Sequence, residues 1–247
     1  MKHSTSLHLF NLDRHRDVRV IPGPDIISSR RLNHAQIGLS ETGIAASDYP
    51  LLFMKDIESG RFRLVALFGL KTDTSFFVVD DQWQATYLPL ALLSAPFYLG
   101  GPERSLCIDE SSDLVTTDTG AALFSDDGSE TGELLRVRAM LEYLREDIDA
   151  ATFFTSKLVD LGLIQPLSVT LEFDRKDDEL VDGLYSISPH KLLSLADSAI
   201  LDLHRQNFLD KIHIIINSLS QINRIQQLSN LHLDQAITKL TTQMYCE

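Results

Sequence analysis

The sequence predicts an α+β fold: mainly antiparallel sheet from hairpins, packed against long amphipathic helices of the C-terminal half. Three observations carry this. Apolar runs at 51–57 and 62–70 flank a short polar turn containing Ser59-Gly60, the pattern of a β-hairpin whose strands are largely covered. Leu134, Val137, Leu141, Leu144, Ile148, Ala151, Phe154, Leu158 and Leu161 recur three or four apart, so they line one face of a helix. Runs at 167–173 and 180–187 read as a second hairpin across the polar turn 174–179.

In chain order, residues 1–50 read as irregular, punctuated by Pro22-Gly23-Pro24 and Tyr49-Pro50, with a short helix expected at 35–39. After the first hairpin come strands at 75–79 and 83–87, the second alternating Trp, Gln, Ala, Thr and Tyr. Asp80-Asp81-Gln82 is the turn between them. Pro89 opens a short helix to Ser94 that Pro96 ends, and Ser105–Asp109 is a further strand. Residues 109–133 hold eight acids and no Lys or Arg among Ser, Thr and Gly, a loop composition. Thr131 suits the N-cap of the long helix, Glu133 its positive first turn, and Gly162 its C-terminal stop. Gly183 marks a bulge in the second hairpin. Ser188-Pro189 opens a helix as N-cap and first residue, and Asp197 caps another running towards Asn207. Ile212, Ile215, Leu219 and Ile222 stripe a third, and Leu233, Ile237, Leu240 and Met244 a fourth in the tail. No repeat, low-complexity tract or linker interrupts the chain, so a single domain over 1–247 is expected.

Composition narrows the function classes. The net charge of −13 argues against a general nucleic-acid binder, because phosphate backbones are held by clustered Lys and Arg. Residues 1–31 carry a net charge of +3 and the remainder −16; the basic arm reads as a solvated face with internal ion pairs. Two cysteines, Cys107 and Cys246, make no disulfide framework, and Cys107, between Leu106 and Ile108, reads as a buried small hydrophobe. With no apolar stretch of signal-peptide or membrane-span type, a cytoplasmic protein is expected.

Motifs that announce a reaction are scarce. Asp118-Thr119-Gly120-Ala121 matches the aspartic-protease string, but that chemistry needs a second Asp loop to share a proton, and no second copy exists; a polar turn explains it better. Asp126-Asp127-Gly128-Ser129-Glu130 lacks the alternating acids and distal Glu of a calcium loop. No His pairs with another at i, i+4, and no Cys-x-x-Cys, G-x-G-x-x-G, Walker loop or G-x-S-x-G is present. No catalytic residue, metal or cofactor is nominated.

A ligand-binding region is easier to place. Trp83 and Tyr87, four residues apart on an expected strand, would share a face, and Tyr49, Phe97 and Tyr98 could join them in an aromatic pocket. The candidate ligand-binding residues are Tyr49, Lys55, Trp83, Tyr87 and Asp109, with Asp109 and then Lys55 as its titratable groups. Core packing of the aromatics is the competing account.

These segments also carry a resemblance. Arg31-Leu32-Asn33, then Ala46-Ser47-Asp48-Tyr49-Pro50 with the hairpin, Trp83-Gln84-Ala85-Thr86-Tyr87-Leu88-Pro89 and Ala95-Pro96-Phe97 resemble the SapC family of bacterial proteins. So do Leu106-Cys107-Ile108-Asp109-Glu110, Ala122-Leu123-Phe124 with Asp127-Gly128, and Gly183-Leu184-Tyr185-Ser186-Ile187. The similarity runs from about residue 10 to 228, leaving 229–247 as a variable tail. The resemblance implies association with a paracrystalline surface layer. It also implies a pathway shared with flavin-dependent halogenase-like proteins, cupin-like proteins and outer-membrane receptors. It carries over no catalytic residues. An accessory or protein-interaction protein is the leading expectation, with homo-oligomers possible. The alternatives are an enzyme binding a small molecule or peptide near Trp83 and Tyr87, and a structural surface-layer component.

Overall fold

The computed structural model describes residues 6–100, 105–174, 177–232 and 236–244. They fall into two compact units, each drawn from two stretches of chain: Met1–Ser29 with Leu90–Glu146, and Arg30–Pro89 with Asp147–Glu247. No Gly- or Ser-rich run marks the junctions in the sequence. The α+β class holds, with antiparallel sheets and helices in both units. Among the described residues no helix is long and apolar enough to cross a membrane.

In the first unit, Leu7–Leu9, Ser105–Asp109 and Phe97–Gly100 form a three-stranded antiparallel sheet with Ser105–Asp109 in the middle. Strand alternation sends Phe97, Leu106 and Ile108 to one face. There they join Phe10, Val20, Leu123, Phe124 and the first turns of the long helix Gly132–Asp160, through Leu134, Val137 and Leu141. Each such side chain contributes roughly 1.5–3 kcal/mol on burial. The acidic stretch expected as loop is partly sheet: Val115–Thr116 and Ala121–Ala122 both pair with Arg19–Val20. The Asp118-Thr119-Gly120 string is the turn between them. Gly120 has φ +89, and a Cβ there would stand 2.6 Å from the Val20 carbonyl oxygen, so glycine is required. Cys107 is buried and free; Cys246 lies outside the described residues.

The second unit is a six-stranded antiparallel sheet. Its order is Ile237–Met244, Ile164–Phe173, Glu179–Ile187, Leu51–Lys55, Phe62–Leu67, His34–Gln36. The first hairpin pairs Leu51 with Ala66 and Lys55 with Phe62, and Gly60 takes φ +67 in its turn. In the second hairpin the register slips between Leu167 and Val169, opposite Gly183 at φ +82, so the expected bulge is there. Helix Phe208–Ser218 lies on the sheet with Ile212 and Ile215 fully buried, and Ser218 Oγ accepts the Leu51 N–H at 2.9 Å. Phe154, on the later half of the long helix, packs edge-on to Phe208 at 5.0 Å. That helix ends as a glycine should end one: Gly162 at φ +66, its N–H on the Val159 carbonyl and the Leu163 N–H on Leu158. Ser188 caps Pro189–Leu193, accepting from the Lys191 N–H.

Four local expectations are corrected. The helix at 35–39 is instead the strand His34–Gln36, bonded to Phe62–Leu67; three residues carry too little periodicity to declare themselves. The strands at 75–79 and 83–87 shrink to Val78–Val79 and Gln82–Trp83, joined by Asp80 and Asp81 at φ 49 and 59. The strand ends at Trp83, so Trp83 and Tyr87 share no strand face. The tail helix is the strand Ile237–Met244; β-branched Ile237, Thr238, Thr241 and Thr242 suit the edge that Ile164–Phe173 offers. Leu233, part of that expected stripe, lies outside the described residues.

Candidate functional site

Two places are candidate sites, one in each unit. The first is the aromatic region named by the sequence. Tyr49 directly precedes the first hairpin and is fully buried. Its ring lies 4.9 Å from Phe77, 5.2 Å from Phe68 and 6.5 Å from Trp83, and Trp83 stacks on Phe77 at 5.8 Å. Such ring pairs add about 0.5–1.5 kcal/mol each beyond their area.

The polar atoms in this cluster satisfy one another. Trp83 Nε1–H donates to Tyr49 Oη at 2.8 Å, and Tyr49 Oη–H donates in turn to the Tyr87 carbonyl. Tyr87 Oη–H donates to Glu41 Oε1 at 2.6 Å, while the Tyr87 N–H donates to Asp48 Oδ2 at 2.8 Å. Both carboxylates are buried. Glu41 also accepts the Gly38 N–H at 2.8 Å, and Asp48 meets Arg224 at 3.0 Å. The Arg224 guanidinium also donates to the Gln84 carbonyl and lies 5.8 Å over the Phe77 ring. Desolvation, which penalises the phenolate, pushes both tyrosines well above the ordinary phenol value. At Tyr87 the Glu41 hydrogen bond and charge push the same way. These tyrosines are therefore neutral hydrogen-bond donors, not bases. Gly38 is fixed by its neighbours: a Cβ there would fall 1.9 Å from the Asp147 carboxylate, which binds the Ser40 N–H and hydroxyl.

Of the five residues named from sequence, Tyr49, Trp83 and Tyr87 are brought together. Lys55 is exposed, its ammonium 5.7 Å over the Phe62 ring. Asp109 belongs to the first unit. There it is buried, and its Oδ1 accepts the Ser6 N–H at 3.1 Å and the Ser111 hydroxyl at 2.6 Å. Glu41, Asp48 and Arg224 were not anticipated. Arg224 had a faint signal: it is the sole Lys or Arg between Lys211 and Lys239, set between the apolar Ile222 and Ile225.

The second place lies in the first unit. A groove of about 680 Å³ is lined by Leu9, Phe10, Leu99, Leu106 and Leu141, with Arg138 and Glu142 at its rim. Arg138 is held by Glu130 at 2.8 Å, and Arg145 pairs with Glu142. Leu9 is 58% exposed, and Leu7, one position over on the same strand face, 44%. The same unit holds an ionic cluster: Glu110 accepts from Arg14 through both oxygens, at 2.5 and 2.8 Å, and lies 3.1 Å from Nε2 of the fully buried His15. The Arg14 bond, then the His15 bond and the charges of Arg14 and His8, hold the Glu110 carboxyl down at about 2. Among the described residues no three His, Cys, Asp or Glu side chains converge as metal ligands would.

Comparison with curated proteins and with solved structures returned no match. A model of the SapC family matches residues 10–225, which takes in both units, from Phe10 of the groove to Arg224 of the aromatic cluster. The chain belongs to the SapC family.

Proposed function

We propose that this chain is a non-catalytic accessory protein that acts by binding another protein, in surface-layer or outer-membrane nutrient-uptake systems of the kind the family resemblance implies. One observation carries the reading. The aromatic and charged side chains around Tyr49 are spent on internal hydrogen bonds, while the apolar groove with exposed Leu9 is left open. Exposed apolar surface rimmed by charge is the common mark of a protein-binding face. The occupant that fits is a short apolar segment of a partner chain, lying on Leu9, Leu99, Leu106 and Leu141. Surface-layer, halogenase-like, cupin-like and outer-membrane receptor proteins are the partners to test.

Affinity capture from the native cell at mild salt, with wild type beside Leu9→Glu, tests it. The expected result is a discrete partner that the variant recovers at least tenfold less well. No reproducible partner, or equal recovery by the variant, overturns the proposal. A second reading, a small-molecule or peptide-binding enzyme at Tyr49, Trp83 and Tyr87, draws support from the partial exposure of Trp83 and Tyr87. Trp83 is the one tryptophan, so a ligand-induced fluorescence change is its direct test.

A further inference from the structure

The two edges of the six-stranded sheet are unequal. His34–Gln36 closes one side with three residues, and a short edge strand is one way natural sheets avoid edge-to-edge pairing. Ile237–Met244 closes the other with eight. In an antiparallel ladder every second residue turns its N–H and C=O away from the partner, so this strand presents a row of such groups outward. At Ile237 they are occupied: Asn230 binds its N–H at 2.8 Å and its carbonyl at 3.2 Å, and Gln226 also reaches that carbonyl. From Thr238 to Met244, among the described residues, no backbone bond is made beyond the ladder with Ile164–Phe173.

Edge protection is confined to the start of the strand, where the register shifts between Ile237 and Lys239. No proline interrupts the strand, and from Lys239 to Met244 the ladder runs without a register shift. Its one charge, Lys239, is tied at 2.7 Å to Glu172 on the neighbouring strand. Leu240 and Met244, opposite Leu171 and Leu167, are only half-buried, so a lip of the core face ends uncovered.

We propose that this edge pairs antiparallel with the same strand of a second copy of the chain, about a two-fold axis at Thr242. The residue pattern is self-complementary in that register. Leu240 meets Met244 of the second copy on the core face, on both sides of the axis, which covers the lip. Thr241 meets Gln243 on the outer face, and no like charges oppose each other. A foreign strand would have to supply this pattern; a second copy brings it, in the isologous arrangement most common among dimers. The strand lies beyond residues 10–225, so the pairing is a property of this chain outside the family match. It is independent of the groove.

Sedimentation equilibrium of the full-length protein over a range of concentrations tests the pairing. Wild type is expected to dimerise reversibly, more tightly as salt screens the repulsion between two copies of net charge −13. Thr241→Lys with Gln243→Lys, both at exposed positions, sets ammonium groups opposite one another and should weaken the dimer at least tenfold. Thr241→Lys with Gln243→Glu sets opposite charges across the axis and should restore it. Circular dichroism of both variants checks that the monomer stays folded. A protein monomeric at every concentration overturns the proposal. So does a dimer indifferent to the lysine pair, or one that the mixed-charge pair fails to restore.

Discussion

The aromatic cluster of the second unit and the groove of the first both set apolar side chains beside charged ones, yet they have opposite characters. Around Tyr49 every strong donor has an internal acceptor: the Trp83 indole, both tyrosine hydroxyls and the Arg224 guanidinium all bond to groups of the same unit. Around Leu9 the apolar surface is only half covered, and the charges at the rim pair with neighbours on or next to the long helix. Tryptophan, tyrosine and buried carboxylates are often taken as signs of a site. Here they mark a fastened core, because a buried polar group left unpaired costs about 1–3 kcal/mol. The exposed apolar surface lies instead at the leucines of the groove.

The largest way to break this contrast is to remove a charge from the closed cluster. Arg224→Ala leaves Asp48, 4% exposed, without its cation. Breaking a buried pair costs about 3–5 kcal/mol, and because Arg224 is about one-third exposed the lower end, about 3 kcal/mol, is expected in urea unfolding. A change below about 0.5 kcal/mol would mean that the cluster is not held by its charges.

Tyr49→Phe is a finer cut. It keeps the ring and strands the Trp83 N–H and the Tyr87 carbonyl, for a loss of about 1–2 kcal/mol. Trp83 emission, the single-tryptophan signal, should shift as the indole loses its acceptor. Unchanged emission and stability would show that the Trp83–Tyr49 bond is incidental. Alkaline titration sharpens the same point. Both phenols are raised in the fold, so their stabilisation is whole below the ordinary value of 10.0 and fades as pH rises above it. Absorbance at the phenolate band should show at least two tyrosines ionising only with alkaline unfolding.

The smallest effect belongs to the first unit. Glu110 is lowered from 4.5 to about 2. Its contribution is present above pH 4.5 and is lost as pH falls from there towards 2. Glu110→Gln should cost about 1 kcal/mol at neutral pH and flatten the acid limb of the stability profile. An acid limb identical to that of wild type would remove Glu110 from the account.

What the sequence disclosed follows the range over which each signal acts. The hairpins, the Gly162 stop and the Ser188 cap were legible because turn chemistry and periodicity are local. His34–Gln36 and Ile237–Met244 were misread because their partners, Phe62–Leu67 and Ile164–Phe173, lie far along the chain. Ile237, Leu240 and Met244 fit a helical spacing as well as an edge strand, and only the partner decides. Tyr49, Trp83 and Tyr87 were correctly grouped, but their hydrogen-bond acceptors were invisible without the fold. Glu41 sits 46 residues from Tyr87, and Arg224 sits 176 from Asp48. The groove had no sequence signature, since it combines one or two residues from each of three strands with one helix face.

The chain changes unit after Ser29, after Pro89 and after Glu146. During synthesis the early residues must therefore wait for partners that emerge much later: Leu9 for Leu141, and the hairpin at Leu51 for Ser218. No single cut of the gene separates one whole unit from the other.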